Sequence, residues 1–243
     1  MTLAYGGFTN QGQVIGILML DTKFPRIPGD VGNAFTFDFP VRYQTVVGAN
    51  PTRVVKEADP SLLEPFIEGA KALEAAGCRA ITTSCGFLVM FQKEMAAAVN
   101  IPVLTSSLLQ VPFVASMLGP HKKVGILTAR ASSLTEKHFK GAGMENCSYA
   151  IQGMEEYPEF TNAFIEGHTV LNVEKAREEI VDAAKKLLRE NPDLGAIVFE
   201  CTNMPPFAHD VQQAVGLPVF DIVTLVRYVA MGLLRSPFAP KCL

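Results

Sequence analysis

The sequence predicts an α/β fold in which parallel strands alternate with helices. Short apolar, β-branched runs such as residues 14–20 and 124–128 are separated by longer amphipathic segments. Continuous apolar runs of this length are typical of strands covered on both faces of a parallel sheet. An internal repeat and two cysteines, each placed directly after a predicted strand, support the same fold class.

Four buried strands and two long helices are predicted with recognisable ends. The helix over residues 62–76 follows Asp59-Pro60, a capping residue with a first-turn proline, and ends at Gly77. The helix over residues 173–190 follows Asn172, which can cap it. The predicted strands lie at residues 14–20, 80–83, 124–128 and 196–199.

The repeat aligns residues 79–103 with residues 195–219 without gaps, at an offset of 201 − 85 = 116 positions. It predicts two pseudo-symmetric domains, residues 1–105 with 220–243 and residues 106–219, each a parallel sheet flanked by helices. Ligands are expected in the cleft between them. The identical pairs are Ala80/Ala196, Ile81/Ile197, Cys85/Cys201, Phe91/Phe207, Ala98/Ala214, Val99/Val215, Pro102/Pro218 and Val103/Val219. A second match aligns Gly16 with Gly125.

Cys85 and Cys201 are the candidate catalytic residues, because they occupy equivalent positions of the repeat. Each follows a strand and precedes a helix, where backbone N–H groups favour an anion, so we expect a thiol pKa below the usual ~8.5. A lone cysteine is more often a small buried residue. Two thiols on opposite walls of a cleft can instead remove and deliver a proton at carbon without a cofactor.

Several function classes are excluded by composition and motif. The chain of 243 residues has a net charge of −3 and no run of Lys or Arg longer than two, which argues against nucleic-acid or anionic-membrane partners. No C-x-x-C, H-x-x-x-H or glycine-rich nucleotide motif occurs, so no metal and no cofactor is predicted. Five cysteines and a start without a signal peptide predict a cytoplasmic protein.

Charged residues near the predicted strand ends leave alternatives open. Residues 21–48 are too long for a tight connection and form either a surface excursion or a cleft cover in which Arg26 binds a carboxylate. Glu200 either points to solvent or pairs with a lysine, or else raises the pKa of Cys201 or binds a substrate cation. Asp21 at the end of the first strand carries the same ambiguity.

The chain resembles the aspartate/glutamate racemase superfamily. The resemblance lies in the order of four features, namely the first strand, the Cys85 junction, the strand at residues 124–128 and the Cys201 junction. This superfamily includes hydantoin racemases, maleate isomerases and arylmalonate decarboxylases. The resemblance covers most of the chain and implies two facing α/β domains, often a dimer, with Cys85 and Cys201 as the acid/base pair. It implies substrate contacts from Thr128, Thr202 and Asn203. The remaining substrate-binding candidates are Ser84, Gly86, Phe87, Asp21 and Arg26.

Two motifs depart from the racemase pattern. Relatives that racemise aspartate or glutamate usually have Cys-Asn-Thr where this chain has Cys85-Gly86-Phe87. Asn203 stands where glutamate racemases carry a histidine. The first motif, with Asp21 and Pro28-Gly29-Asp30, is similar to the algal dimethylsulfoniopropionate lyases of the same superfamily. There a cysteine removes an α-proton and the β-substituent leaves, and Phe87 or Tyr43 would face the sulfonium.

The leading prediction is a cofactor-independent racemase or epimerase of a small amino-acid-like carboxylate, an isomerase that forms a homodimer or higher homo-oligomer. A lyase or isomerase on the same scaffold is the first alternative, such as one that performs β-elimination of dimethylsulfoniopropionate. A non-catalytic protein that binds a small ligand is the second. In the enzymatic cases, backbone N–H groups at the two helix starts would hold the developing enediolate charge.

Overall fold

The structure, a computed structural model, describes residues 3–237. Two four-stranded sheets form its frame, and every strand pair in them is parallel. The first sheet has the order β2-β1-β3-β4 and the second the order β6-β5-β7-β8. The strands are β1 (Ile15–Leu20), β2 (Val41–Val46), β3 (Ala80–Thr83), β4 (Val103–Leu104), β5 (Lys123–Thr128), β6 (Tyr149–Gly153), β7 (Leu194–Phe199) and β8 (Val219–Phe220).

Helices connect the strands and flank both sheets, which confirms the predicted fold class. Asp59 accepts a hydrogen bond from the Ser61 backbone N–H at the start of the first predicted helix, and Asn172 accepts one from Lys175 at the start of the second. The helices are α1 (Leu63–Ala75), α2 (Gln92–Ala97), α3 (Val111–Met117), α4 (Glu136–Gly141), α5 (Pro158–Phe164), α6 (Val173–Glu190), α7 (Ala208–Val215) and α8 (Ile222–Leu233).

The internal repeat corresponds to a repeated topology. At the sequence offset, β3 falls on β7, β4 on β8 and α2 on α7, and each sheet places these strands in the same order. The shorter match is structural as well, because Gly16 and Gly125 lie on the second strand of their sheets. A Cβ at Gly16 would meet Leu73 of α1 at 2.8 Å, and one at Gly125 would meet Leu187 of α6 at 3.0 Å. Glycine thus lets a helix approach each sheet.

The last helix returns to the first sheet. Ile222 and Val226 of α8 share a buried cluster with Ile15 and Ile17 of β1. The boundary positions of the two domains stay a prediction, and residues 1–2 and 238–243 lie outside the described part. Among residues 3–237, no helix is long and apolar enough to cross a membrane.

Candidate functional site

Cys85 and Cys201 lie at the carboxyl edges of two different sheets and line the same cavity. Cys85 follows β3, Cys201 follows β7, and each side chain is 9% exposed. The cavity measures about 20 Å³, room for roughly one water molecule. Its walls are formed by Leu20, Pro51, Val55, Ser84, Cys85, Gly86, Phe87, Ala129, Ile165, Glu200, Cys201 and Thr202.

Hydrogen bonds join the two cysteine loops directly. Thr202 Oγ1 donates to the backbone carbonyl of Ser84 over 2.6 Å, across the boundary between the sheets. Ser84 Oγ in turn accepts from the backbone N–H of Leu20 at 2.8 Å, which ties the first loop to β1. All three residues are buried. The Thr202 bond fixes the two cysteine loops relative to each other, and the Leu20 bond anchors the first of them to β1.

Glu200 is the residue before Cys201, and it points inward. Thr128 Oγ1 donates to Glu200 Oε2 at 2.8 Å, and the Ala129 backbone N–H approaches the same oxygen at 3.4 Å. Glu200 Oε1 is buried and has no hydrogen-bond partner. Burial raises the pKa of Glu200 to about 7, although both donors oppose the shift. The alternative of a solvent-facing or lysine-paired Glu200 is therefore wrong.

Gly86 is required by the position of Glu200. A Cβ at residue 86 would collide with the backbone carbonyl and with Oε1 of Glu200. The close approach brings Glu200 Oε1 against the backbone of Gly86, the residue after Cys85, and Glu200 is itself one of the cavity-lining residues. Phe87, the next residue, also lines the cavity, and the edge-to-face contact of its ring with His138 has a centroid distance of 5.4 Å.

The expected lowering of the thiol pKa values is wrong for this closed cavity. Burial raises the pKa of Cys85 and of Cys201, and the nearby Glu200 charge raises both further. The backbone N–H groups of Phe87 and Asn203 act in the predicted direction on Cys85 and Cys201, respectively. Loss of hydration outweighs them, because a thiolate without water is costly in an apolar enclosure.

Arg26 does not reach the cavity, which corrects its assignment as a carboxylate-binding cation. Its guanidinium pairs with Asp30 Oδ1 at 2.7 Å and also donates to Thr22 Oγ1. Asp30 Oδ2 accepts from Asn203 Nδ2 at 2.7 Å, and Asn203 Oδ1 lies 3.5 Å from Cys201 Sγ. The 21–48 segment therefore contacts the Cys201 loop through Asp30 and Asn203, and the Arg26 guanidinium is paired with the buried Asp30.

The structure brings most of the predicted site residues together. Thr128 is not a lining residue of the cavity. Its hydroxyl donates to Glu200, which does line the cavity, instead of facing the space where a substrate carboxylate would bind. Asp21 lines the neighbouring pocket, where it pairs with Lys23. Tyr43 is elsewhere, with its hydroxyl donating to the Val31 carbonyl. The predicted residues at the cavity wall are Ser84, Cys85, Gly86, Phe87, Cys201 and Thr202.

A larger pocket of about 470 Å³ adjoins the cavity. Pro51 and Ile165 belong to the walls of both, so they separate the pocket from the thiols. Glu166 lines this pocket, and its Oε1 pairs with Lys56 Nζ at 2.9 Å, which connects segments 110 positions apart in the sequence. The larger pocket and the thiol cavity are therefore neighbours that share two wall residues.

Two residues at or next to the cavity were not predicted as site residues from the sequence. Asp30 is 1% exposed and accepts a hydrogen bond from Asn203, whereas the sequence pointed to it only as part of the Pro28-Gly29-Asp30 resemblance. Ile165 reaches the cavity from the turn after α5, for which the sequence carried no signal. Within residues 3–237, no group of three or more metal-ligating side chains is arranged to hold an ion.

Sequence comparison places the chain among known proteins. The sequence profile of the family described as Asp/Glu/Hydantoin racemase matches residues 48–227. A dimethylsulfoniopropionate lyase from Durusdinium sp. clade D is 32% identical over 230 residues, covering 92% of this chain and 76% of the relative. Dimethylsulfoniopropionate lyase 7 of Emiliania huxleyi (strain CCMP1516) is 31% identical, covering 92% of this chain and 68% of the relative.

Solved structures share the fold at low sequence identity. The Gly74Cys mutant of arylmalonate decarboxylase matches with a TM-score of 0.62 at 16% identity, covering 94% of this chain and 97% of its own. An aspartate racemase homologue from Pyrococcus horikoshii OT3 matches with a TM-score of 0.56 at 19% identity, covering 91% of this chain and 98% of its own. At these identities the likeness supports the two-sheet fold.

Proposed function

Because the chain belongs to the Asp/Glu/hydantoin racemase family, we propose that it uses a cysteine to remove the α-proton of a small carboxylate and expels the β-substituent, with dimethylsulfoniopropionate as substrate. The observation that carries the proposal is the pair of thiols, Cys85 and Cys201, on the walls of one buried cavity. The family match supports the racemase-type scaffold, and the similarity to dimethylsulfoniopropionate lyases suggests the reaction.

The first cysteine motif favours elimination over racemisation of an amino acid. Gly86 and Phe87 offer no side-chain amide or hydroxyl with which to grip an α-ammonium group. The apolar side chains of Leu20, Val55 and Ile165 complete the wall. Such a wall suits the methyl groups of a sulfonium better than a hydrated ammonium.

Cys85 is the proposed base, because its surroundings favour the thiolate more than those of Cys201. The Phe87 backbone N–H and the Arg26 charge both lower the pKa of Cys85, against burial and Glu200. Cys201 has three negative or ionisable neighbours that raise its pKa, namely Glu200, Cys85 and Asp30. Its Sγ also lies within hydrogen-bond distance of Asn203 Oδ1, an acceptor that favours the protonated thiol.

The proposed reaction balances as a proton transfer and one bond cleavage. The Cys85 thiolate takes the α-proton and becomes a thiol, and the α-carbon electron pair forms the new C=C bond as the Cβ–S bond breaks. The sulfonium leaves as neutral dimethyl sulfide, the carboxylate remains as acrylate, and the Cys85 proton passes to solvent. In this scheme the Cys201 thiol donates a hydrogen bond to the enediolate.

Substrate binding requires the cleft to widen. A cavity of about 20 Å³ is too small for a carboxylate with a dimethylsulfonium group. The neighbouring pocket of about 470 Å³ is large enough, and Pro51 and Ile165 stand between the two spaces. We therefore infer that the substrate enters from that pocket as these residues separate.

Racemisation or epimerisation is the second candidate, and a specific observation supports it. A stereoinverting proton transfer needs an acid and a base on opposite faces of one carbon, and the cysteines come from two facing sheets. In this case, both thiols would exchange a proton with the same α-carbon.

Proton NMR in D2O with reductant distinguishes the candidates. The panel comprises dimethylsulfoniopropionate, aspartate, glutamate, a hydantoin, an arylmalonate and maleate. New vinyl and dimethyl sulfide signals are expected with dimethylsulfoniopropionate, and they should be absent with Cys85→Ser. Loss of an α-proton signal from an otherwise intact amino acid would instead establish the racemase candidate. An unreactive panel would overturn both and favour a ligand-binding protein.

A further inference from the structure

We propose that Glu200 and Phe87 form the subsite that holds the cationic group of the substrate, so that the protein selects carboxylates bearing a positive charge at the β-carbon. This inference deepens the proposed function and rests on it for the identity of the reacting compound. The chemical class is a zwitterion, a carboxylate with a sulfonium or quaternary ammonium group that has no N–H donor.

The first support is an unsatisfied acceptor in Glu200, a residue of the cavity wall. Glu200 is 1% exposed, and its Oε2 is occupied by Thr128 Oγ1 and the Ala129 N–H. Its Oε1 is buried without a hydrogen-bond partner. A buried carboxylate oxygen without a partner destabilises the folded protein. A bound group that contacts this oxygen could relieve that free-energy cost.

The second support is the charge of the lining. Of the described residues that line the cavity, Glu200 is the one with a carboxylate or any other formally charged group. Arg26 is not one of the lining residues, and its guanidinium is paired with Asp30. Once Glu200 is ionised, the enclosed space offers a cationic group a negative charge at short range, in surroundings where screening is weak.

The third support is the nature of the remaining wall. Phe87 lines the same cavity, and its ring is fixed by the edge-to-face contact with His138. An aromatic ring face attracts sulfonium and quaternary ammonium groups without requiring a hydrogen bond. Leu20, Val55 and Ile165 give methyl groups an apolar contact. Together these side chains match a methylated cation. An ordinary ammonium group would find too few acceptors in this wall for its N–H donors.

The subsite also explains how Cys85 can ionise next to the negative charge of Glu200. Glu200 disfavours ionisation of both thiols, so a thiolate base is expensive while the cavity is empty. A cation placed against Glu200 offsets its charge at the moment when Cys85 must ionise. Substrate binding thereby favours the thiolate, and a neutral or anionic ligand would not have this effect.

Binding of two matched ligands tests the proposal without turnover. The probes are 3-(trimethylammonio)propionate and 4,4-dimethylpentanoate, which have the same shape and carboxylate but differ by one positive charge. Isothermal titration calorimetry at pH 8 is expected to give the cation at least about tenfold tighter binding to the wild-type protein. In Glu200→Gln, this ratio should fall to about twofold or less.

Glu156→Gln is the matched control, since it removes one negative charge from an exposed residue that pairs with Lys186. Its binding ratio should equal that of the wild type. Equal binding of the two ligands by wild type, binding of neither at millimolar concentration, or an unchanged ratio in Glu200→Gln would overturn the subsite.

The subsite and the proposed function fail in different ways. A strong cation preference that depends on Glu200, without elimination of dimethylsulfoniopropionate, would retain the subsite and reject the reaction. Elimination with no preference for the cation would retain the reaction and reject the subsite. Near-ultraviolet circular dichroism and the binding of 4,4-dimethylpentanoate itself report whether Glu200→Gln is folded.

Discussion

Ser84 and Glu200 occupy equivalent positions of the two halves, and each side chain faces the backbone N–H at the end of the neighbouring strand. They differ in how their oxygens are used. Ser84 Oγ accepts a hydrogen bond from the Leu20 N–H at the end of β1. Glu200 Oε2 is approached by the Ala129 N–H at the end of β5, which is the equivalent place in the second sheet. The single side-chain oxygen of Ser84 is bonded to the Leu20 N–H, whereas the longer Glu200 has a second carboxylate oxygen that has no hydrogen-bond partner.

The difference shows how a symmetric fold can provide an asymmetric site. Both halves place a thiol after the third strand in their spatial order, but a carboxylate accompanies only Cys201. The residues after the thiols differ too, with Gly86-Phe87 on one side and Thr202-Asn203 on the other. One wall is therefore apolar and aromatic, and the other is polar and cross-linked, so the two thiols have different proton affinities.

Replacing each thiol should reveal this asymmetry as the largest effect. Cys85→Ser is expected to lower kcat for elimination by about 10³-fold, because a serine hydroxyl is a far weaker base than a thiolate at neutral pH. Cys201→Ser should cost about tenfold, since a hydroxyl can still donate a hydrogen bond. Initial rates of acrylate formation measure both. Equal losses of about 10³-fold would instead indicate two-base chemistry.

Neutralising Glu200 should change stability in a pH-dependent manner. Burial raises its pKa from 4.5 to about 7, so the folded state is destabilised as pH rises through this window and the carboxylate loses its proton. Glu200→Gln removes the penalty and is expected to be more stable than wild type at pH 8, by about 3 kcal/mol. Near pH 4.5 the difference should vanish. Thr128 and Ala129 donate to this carboxylate, and the thiols of Cys85 and Cys201 are its titratable neighbours.

Ser84→Ala is the matched control at the equivalent position. It removes one hydrogen bond from the Leu20 N–H and should cost about 1 kcal/mol at every pH. Urea unfolding at pH 5 and pH 8 measures both variants. A stability gain of Glu200→Gln that is the same at the two pH values would contradict the assigned titration.

Substitutions one position after each thiol should separate packing from hydrogen bonding. Gly86→Ala forces a methyl group against Glu200 and is expected to destabilise the fold by about 2 kcal/mol. Thr202→Ala removes the bond to the Ser84 carbonyl and should cost about 1 kcal/mol. Chemical denaturation midpoints compare the two. A neutral Gly86→Ala would show that Glu200 can move aside at no cost.

The smallest effect is expected at the ion pair beside the larger pocket. Lys56 and Glu166 form an ion pair with side chains 31% and 46% exposed, in contrast to the buried bond between Thr202 and Ser84. Lys56→Ala should therefore change stability by less than about 1 kcal/mol, and less still in high salt. Unfolding in 0.05 M and 0.5 M NaCl tests this, and a larger cost would assign the pair a structural role.

The fold was predictable because its signals are local. The predicted strand at residues 80–83 and the helix at residues 173–190 match β3 and α6, since continuous apolar runs and capping residues act over a few neighbouring positions. The repeat was equally visible, because both halves keep the same spacing from strand to cysteine to helix. Those spacings brought Cys85 and Cys201 to one cavity.

The arrangement of charges was not predictable in the same way. Arg26 could be expected at the cavity, yet it pairs with Asp30, four residues away in sequence and held in place by Asn203 of the other half. The thiol pKa values were expected to fall, but loss of water in the closed cavity raises them. Both outcomes depend on which distant residues surround a group and how much solvent remains.

The sequence by itself determined the two-sheet α/β architecture, its internal repeat and the positions of both cysteines, because strand and helix signals are read from neighbouring residues. Only the tertiary structure decided that Glu200 turns inward, that Thr128 and Ala129 occupy one of its oxygens, and that the other is left beside Gly86. Burial and hydrogen-bond partnership are properties of the assembled interior, where segments more than seventy positions apart meet.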